Sequence, residues 1–223
     1  MSRIVVTGAS RGIGLELCQY FARQGHEVYA ACRVVSTVLS QLPHPGITVI
    51  DGVDVSNDEG TVTLRNALAN KPIDILINNA GVLAADSLGD LAYDDIQHQL
   101  QVNALGPLRV TEALLDNLKA GSKVAMITSR MGSIADNSSG GYYGYRMSKA
   151  ALNAAGVSLA RDLKPRGIAV VLLHPGFVQT DMVGFAGDIS PAVSAERLAA
   201  RINELTLESS GSFWHANGER LPW

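Results

Sequence analysis

Apolar, largely β-branched runs recur along this chain with helix-like segments between them, and each run is continuous rather than alternating with polar residues. A strand that is apolar on both sides needs cover on both faces, which points to a parallel sheet rather than an antiparallel one with a wet face. The alternation therefore predicts an α/β protein, a single doubly wound parallel sheet with helices on both faces and right-handed crossovers. The expected strands are Ile4 to Thr7, Glu27 to Cys32, Ile47 to Ile50, Ile73 to Ile77, Lys123 to Thr128 and Ile168 to Leu173, with a short one around Phe213. Helices are expected from Ile13 to Gly25, about Asp58 to Ala69, Tyr93 to Lys119, Tyr142 to Lys164 and Ser194 to Leu207.

A length of 223 residues exceeds the roughly 150 of a typical domain but falls short of two. With no repeat, low-complexity tract or linker, residues 1–223 are expected to form one domain, with surface loops at about 136–141 and 184–191. Apolar residues at 47% against 17% charged supply a core and exclude a disordered chain. Eighteen basic against 21 acidic side chains leave a net charge of −3, without the basic field that nucleic acid or an anionic membrane surface would require of a partner. Cys18 and Cys32 form no CxxC pair, and the five histidines show no HxxxH or HxH spacing, so neither a disulfide framework nor a metal site is expected. The apolar stretch after Arg3 is too short for a signal peptide, and no run reaches the roughly eighteen apolar residues of a membrane span, which makes a cytoplasmic protein the expectation.

Thr7-Gly8-Ala9-Ser10-Arg11-Gly12-Ile13-Gly14 stands between the first strand and the first helix. Glycines there let the main chain approach a pyrophosphate while the helix N-terminus offers unpaired N–H donors and a favourable dipole; the alternative is a plain strand-to-helix turn. Three residues separate the first two glycines, which is not GxGxxG. The motif instead resembles TGxxxGxG of the short-chain dehydrogenase/reductase family, and Asn78-Asn79-Ala80-Gly81 after the fourth strand resembles that family's NNAG. The resemblance implies a Rossmann fold and a nicotinamide dinucleotide held by Gly8, Ser10, Arg11, Gly12, Ile13, Gly14, Asn79, Ala80 and Gly81, with Asp54 and Val55 at the adenine. The second strand ends in Ala31-Cys32-Arg33, with no carboxylate to bind the 2′-hydroxyl of NAD. Arg33 and Arg11 could instead clamp a 2′-phosphate, so NADP(H) is expected rather than NAD(H), unless both arginines are merely solvated charges.

Tyr145 and Lys149 lie four apart at the start of an expected helix, on one face about a turn from each other. An adjacent ammonium favours the phenolate and brings a tyrosine toward useful acid/base range. The pair matches the family's YxxxK, in which the lysine also holds the nicotinamide ribose. The family's third catalytic group is a serine just after the fifth strand, which Ser129 matches best; Ser133 competes because its separation from Tyr145 is closer to the family's usual one. Asn103 is the fourth. Pro107, four residues later, has no N–H to give the Asn103 carbonyl, which would distort the helix there. In the family that carbonyl holds a water linking the lysine to solvent. Pro175, Gly176, Val178 and Thr180 in His174-Pro175-Gly176-Phe177-Val178-Gln179-Thr180 match the PGxxxT segment that orients the nicotinamide, whereas His174 is expected to be structural.

Within the family, the loop Gly140 to Lys149 and the ending Gly218 to Trp223 look most like sniffer-type carbonyl reductases and bacterial C-factor relatives. That resemblance implies NADPH-dependent reduction of a ketone or aldehyde to an alcohol, with a small-molecule carbonyl or alcohol as partner. The four-residue Tyr–Lys spacing argues against the enoyl-reductase branch, and the length against the epimerase and dehydratase branch. A non-enzymatic dinucleotide-binding signalling or sensor protein of C-factor type is the alternative. A short apolar lid is expected at about 177–193, and a homodimer or homotetramer through the helices carrying Asn103 and Tyr145. The face of Ala150, Ala151, Ala154 and Ala155 would permit close helix approach, or else pack on the sheet.

Overall fold

In the computed structural model, which describes residues 1–42 and 44–223, the strands form one seven-stranded, fully parallel sheet. They are β1 (Arg3–Thr7), β2 (Glu27–Ala31), β3 (Ile47–Ile50), β4 (Ile73–Asn78), β5 (Leu118–Ile127), β6 (Ala169–His174) and β7 (Ser212–His215), in the order β3-β2-β1-β4-β5-β6-β7. The order runs outward in both directions from β1 and β4, so the chain reverses between them and opens a crevice at their C-terminal ends. This is the doubly wound Rossmann architecture.

The helices are α1 (Gly12–Arg23), α2 (Thr37–Ser40), α3 (Asp58–Ala67), α4 (Tyr93–Leu100), α5 (Gly106–Ala113), α6 (Tyr143–Leu163) and α7 (Pro191–Glu204). The continuous apolar strands are explained by two cores, one on each face of the sheet. Ile4, Val6, Ile75, Ile77, Val171 and Leu173 pack against Leu17, Cys18 and Phe21 of α1 and Leu198 and Ile202 of α7. Their neighbours Val5, Leu76, Val170 and Leu172 point the other way, onto Leu64 of α3, Val110 of α5 and Leu152 and Leu163 of α6. Each such side chain withdrawn from water contributes about 1.5–3 kcal/mol.

Several expected boundaries are corrected. The long helix from Tyr93 ends at Ala113, not Lys119, and β5 begins at Leu118, five residues early. Long-range bonds override the polar local sequence: Asn117 donates to the carbonyls of Leu68 and Lys71 at 2.8 Å each, and Ser122 Oγ donates to Ile73 O at 2.6 Å. The last helix spans Pro191–Glu204 and starts three residues early because Ser190 caps it by accepting from Val193 N and Pro191 suits its first turn. The expected lid thus loses its last residues to α7. Among the described residues no helix is long and apolar enough to cross a membrane.

Candidate active site

The glycine turn and Asn78–Gly81 meet at the crevice. Thr7 ends β1 with its hydroxyl oxygen accepting from Asn79 N at 3.0 Å and Ala80 N at 3.1 Å, while Asn79 Nδ2 donates back to Thr7 O at 3.0 Å and Gly8 O at 3.3 Å. A side chain on Gly8, at φ +66°, would sit 2.7 Å from Ala80 Cα, and one on Gly14 would collide with Gly8 O. These two glycines are required by main-chain contact between the motifs. Gly12, at φ +54°, instead faces only the Thr180 methyl group across the crevice. Arg11 is the N-cap of α1 but its side chain makes no cap, and no acidic residue occupies the first turn, so the helix presents open amides. Ser10 and Ile13 flank that opening, and the Ser36 hydroxyl donates to Ser10 O, fastening the segment after β2 to the turn.

Arg11 and Arg33 are both exposed at the C-terminal ends of β1 and β2. Arg11 lies 3.7 Å from Asp181, a loose surface pair worth well under about 1 kcal/mol. Asp54 accepts from Ser56 N at 2.9 Å and Ser56 Oγ at 2.6 Å. Its partial burial opposes the charge, but the Ser56 bonds and the nearby Arg33 and His98 hold its carboxyl below the usual range. Val55 is buried against Gly106. Pro175, Gly176, Val178 and Thr180 follow β6. The loop they enter is pinched at its base, where Asp188 N donates to Phe177 O at 2.8 Å and Gln179 N to Ile189 O at 2.9 Å.

Tyr145 and Lys149 occupy the first two turns of α6, and both are buried. Lys149 Nζ lies 5.7 Å from the Tyr145 ring centre and donates to the last carbonyl of β5, Ile127 O, at 2.9 Å. Burial pulls the Lys149 ammonium down to about 8. Burial also pushes the Tyr145 phenol up to about 12, with the Ser129 hydroxyl opposing it. In the protein's own side-chain environment desolvation dominates and keeps the phenol protonated. Ser129 is buried beside Tyr145 and accepts from Met131 N at 3.1 Å, whereas Ser133 turns to the loop and accepts from Asp136 N at 3.1 Å.

Asn103 is fully buried within a π-helical turn, Gln101–Leu105, in which Gly106 N reaches back to Gln101 O. The expected distortion is there, immediately before Pro107. Its side chain has a job that the sequence did not reveal. Asn103 Oδ1 accepts from Val82 N at 2.8 Å, and Nδ2 donates to Val82 O at 2.8 Å and Ser148 Oγ at 3.0 Å, tying the segment after Gly81 to α6. Thr128 and Asn153 were missed as well: Thr128 Oγ1 donates to Asn153 Oδ1 at 2.7 Å beneath the Ser129 turn. Arg130 is held by Glu219 at 2.9 and 3.0 Å and pairs with Asp136 at 2.9 Å. None of these partners stands at a motif spacing, so pattern reading had no signal for them.

His174 packs edge-on against His215 at 4.8 Å, and its buried Nδ1 has no partner. Burial, reinforced by His215, Arg130 and Lys149, drives it down to about 3, so it stays neutral. Among the described residues no group of three or more His, Cys, Asp or Glu could hold a metal ion.

A doubly wound sheet with a glycine turn at its switch point and a buried Ser–Tyr–Lys group at the same edge defines a dinucleotide-dependent oxidoreductase. Residues 2–188 match the model of the short chain dehydrogenases, and the chain belongs to that family, whose members bind a nicotinamide dinucleotide and act on small molecules. It is 42% identical over 229 residues to the 1-hydroxy-2-glutathionyl-2-methyl-3-butene dehydrogenase of Rhodococcus sp. (strain AD45), covering all of both chains. It is 50% identical over 155 residues to C-signal of Myxococcus xanthus, covering 68% of this chain and 93% of that one. Among solved structures it resembles the carbonyl reductase Sniffer of D. melanogaster, with a TM-score of 0.90, 29% identity and full coverage of both chains. The NADPH-bound carbonyl reductase from chicken fatty liver superposes with a TM-score of 0.89 at 27% identity, over 100% of this chain and 99% of that one.

Proposed function

We propose that the protein uses NADPH to reduce a ketone or aldehyde carbonyl to an alcohol. The observation that carries this reading is the buried group of Tyr145, Lys149 and Ser129 at the sheet edge that also bears the glycine turn. The open amides of α1, the side-chain-free Gly12 and the exposed Arg11 and Arg33 fit a phosphorylated dinucleotide. In this reading Gly8, Ser10, Gly12, Ile13 and Gly14 face the pyrophosphate, and Arg11 and Arg33 a 2′-phosphate. Asp54 and Val55 take the adenine, Asn79, Ala80, Gly81, Tyr145 and Lys149 the nicotinamide ribose side, and Pro175, Gly176, Val178 and Thr180 the carboxamide.

When bound, the cofactor supplies a hydride to the carbonyl carbon. The chain's own groups do the rest. The Ser129 hydroxyl donates to the carbonyl oxygen as negative charge develops there. Tyr145 gives that oxygen its phenolic proton, and a phenol held protonated by burial suits an acid in the reductive direction. The Lys149 ammonium steadies the phenolate left behind, and the distorted helix at Asn103 leaves a route for the proton to be replaced. The NADPH-bound chicken liver enzyme and the Sniffer reductase support this reading, and the Rhodococcus dehydrogenase is named for the reverse direction.

The 50% identity to C-signal favours a second reading, a dinucleotide-binding signalling protein without turnover. One experiment separates them: NADPH oxidation across a panel of diketones, quinones and aldehydes, with Y145F as control. Turnover that Y145F abolishes supports the reductase, and binding without turnover across the panel supports the second reading.

In the same proposal residues 1–223 work as one domain, residues 177–190 cover the substrate, and the chain is a homodimer or homotetramer. Leu152 and Gly156 take the sheet side of α6, leaving Ala154 exposed and Ala151 lining a groove of about 610 Å³ with Leu100, Ala104 and Leu105. Light scattering tests the oligomer.

A further inference from the structure

Tyr145 stands on the first turn of α6, and that turn has no cap of its own. Tyr142, the N-cap residue, has left-handed backbone at φ +52° and makes no side-chain capping bond. A bulky residue in that region costs on the order of 1 kcal/mol or more and persists only where its surroundings impose it.

They do, from 57 residues away. Asp86 accepts three successive amides at the head of α6: its main-chain oxygen takes Tyr142 N at 2.9 Å, Oδ1 takes Tyr143 N, and Oδ2 takes Gly144 N at 2.9 Å. A carboxylate accepting first-turn amides is a strong, charge-assisted cap. The segment bearing Asp86 is itself anchored, with Ala84 N donating to Gln99 Oε1 at 3.0 Å and Val82 held on both sides by Asn103. Gly144 lets the head of α6 lie against α4, since a side chain there would meet Gln99 Nε2 at 2.6 Å and Ile96 Cα at 3.1 Å. From the other side Arg146 grips Gly141 O at 3.1 Å and Ser139 Oγ at 2.8 Å.

We propose that Asp86 is a positioning residue for the reaction: by capping α6 across the crevice, it fixes the Tyr145 phenol relative to the Asn79–Gly81 side of the site. The proposal rests on the reading of Tyr145 as the proton donor. A carboxylate that sets the first turn of α6 sets the next residue along, and misplacing a reacting group by about 1 Å can cost about 100-fold in rate.

The test compares Asp86→Ala, which keeps neither carboxylate acceptor, with Asp86→Asn, which keeps one, and with Asp90→Ala, which removes an exposed charge from the same segment. Each is assayed for kcat and for NADPH Kd, well below its melting temperature and per folded molecule. Asp86→Ala should lower kcat about 10–100-fold with NADPH Kd changed less than about twofold, Asp86→Asn should recover part of the loss, and Asp90→Ala should match the parent. If the Ala variant fails to fold, the near-isosteric Asn variant carries the test with an expected loss of about 3–10-fold. A kcat within twofold of the parent for the folded variants, or a loss shared equally by kcat and NADPH affinity, overturns the proposal. Y145F distinguishes the two failures: turnover surviving in Y145F defeats the reading of Tyr145, whereas an inactive Y145F beside a fully active Asp86→Asn defeats only the role of Asp86.

Discussion

Replacing Thr7 with valine keeps the shape of a buried side chain and removes one oxygen. That oxygen is the acceptor for Asn79 N at 3.0 Å and Ala80 N at 3.1 Å, and Thr7 itself is 1% exposed. Both bonds are partly buried, so each orphaned amide is assigned the lower half of the usual desolvation penalty, about 1–2 kcal/mol, and the pair about 2–4 kcal/mol. For a chain of this length about 1 kcal/mol moves the melting temperature by about 2–4 °C, so the valine variant should melt about 5–15 °C below the parent. Thr7→Ser keeps the acceptor and loses only a methyl group, about 1 kcal/mol and about 2–4 °C. The turn that Thr7 holds against Gly8 is also the proposed nicotinamide-side wall, so NADPH affinity should weaken in the valine variant and hold in the serine one. Circular dichroism melting curves and NADPH fluorescence titration read both effects. A valine variant that melts within about 2 °C of the parent, or above the serine variant, would refute the account of this junction.

S129A should lower kcat by about 10²–10³-fold and S133A by far less, since only Ser129 lies beside the Tyr145 phenol; comparable losses would reverse the assignment. Arg33→Ala should weaken NADPH binding about 10–100-fold while leaving NADH binding unchanged, measured by titration with each. His174 gives the fold an acid-sensitive point. Its pKa of about 3 in the folded chain lies below its ordinary 6.5, so the unfolded chain binds the proton more readily. The stability it permits is therefore intact above pH 6.5 and falls as pH drops toward 3. Urea unfolding at pH 7, 5 and 4 should show that decline in the parent and a flatter course in His174→Gln.

The strands were legible because each is a continuous apolar run, and such runs are dictated by a sheet covered on both faces. Reading failed where local composition and long-range bonding disagree. Leu118-Lys119-Ala120-Gly121-Ser122 does not look like strand, yet Asn117 and Ser122 bond it to β4 and the turn before it. The short α2 went unseen because its start depends on Ser36, which caps it and also reaches Ser10. In the site, Tyr145, Lys149 and the glycines were found through spacing and Ser129 through its place directly after a strand, both of which are properties of neighbours in the chain. Thr7, Asp86, Gln99 and Asn153 act across 15 to 73 residues, and no spacing announces them.

The sequence by itself determined the parallel sheet, the glycine turn at its first strand and a tyrosine and lysine on one helical face, because periodicity and backbone freedom are written residue by residue. Only the tertiary structure decided the ionisation balance and aim of those groups. Burial raises Tyr145 and lowers Lys149, and Asp86 holds the helix that carries them. How far a group is withdrawn from water, and what caps a helix from another part of the chain, depend on everything packed around it.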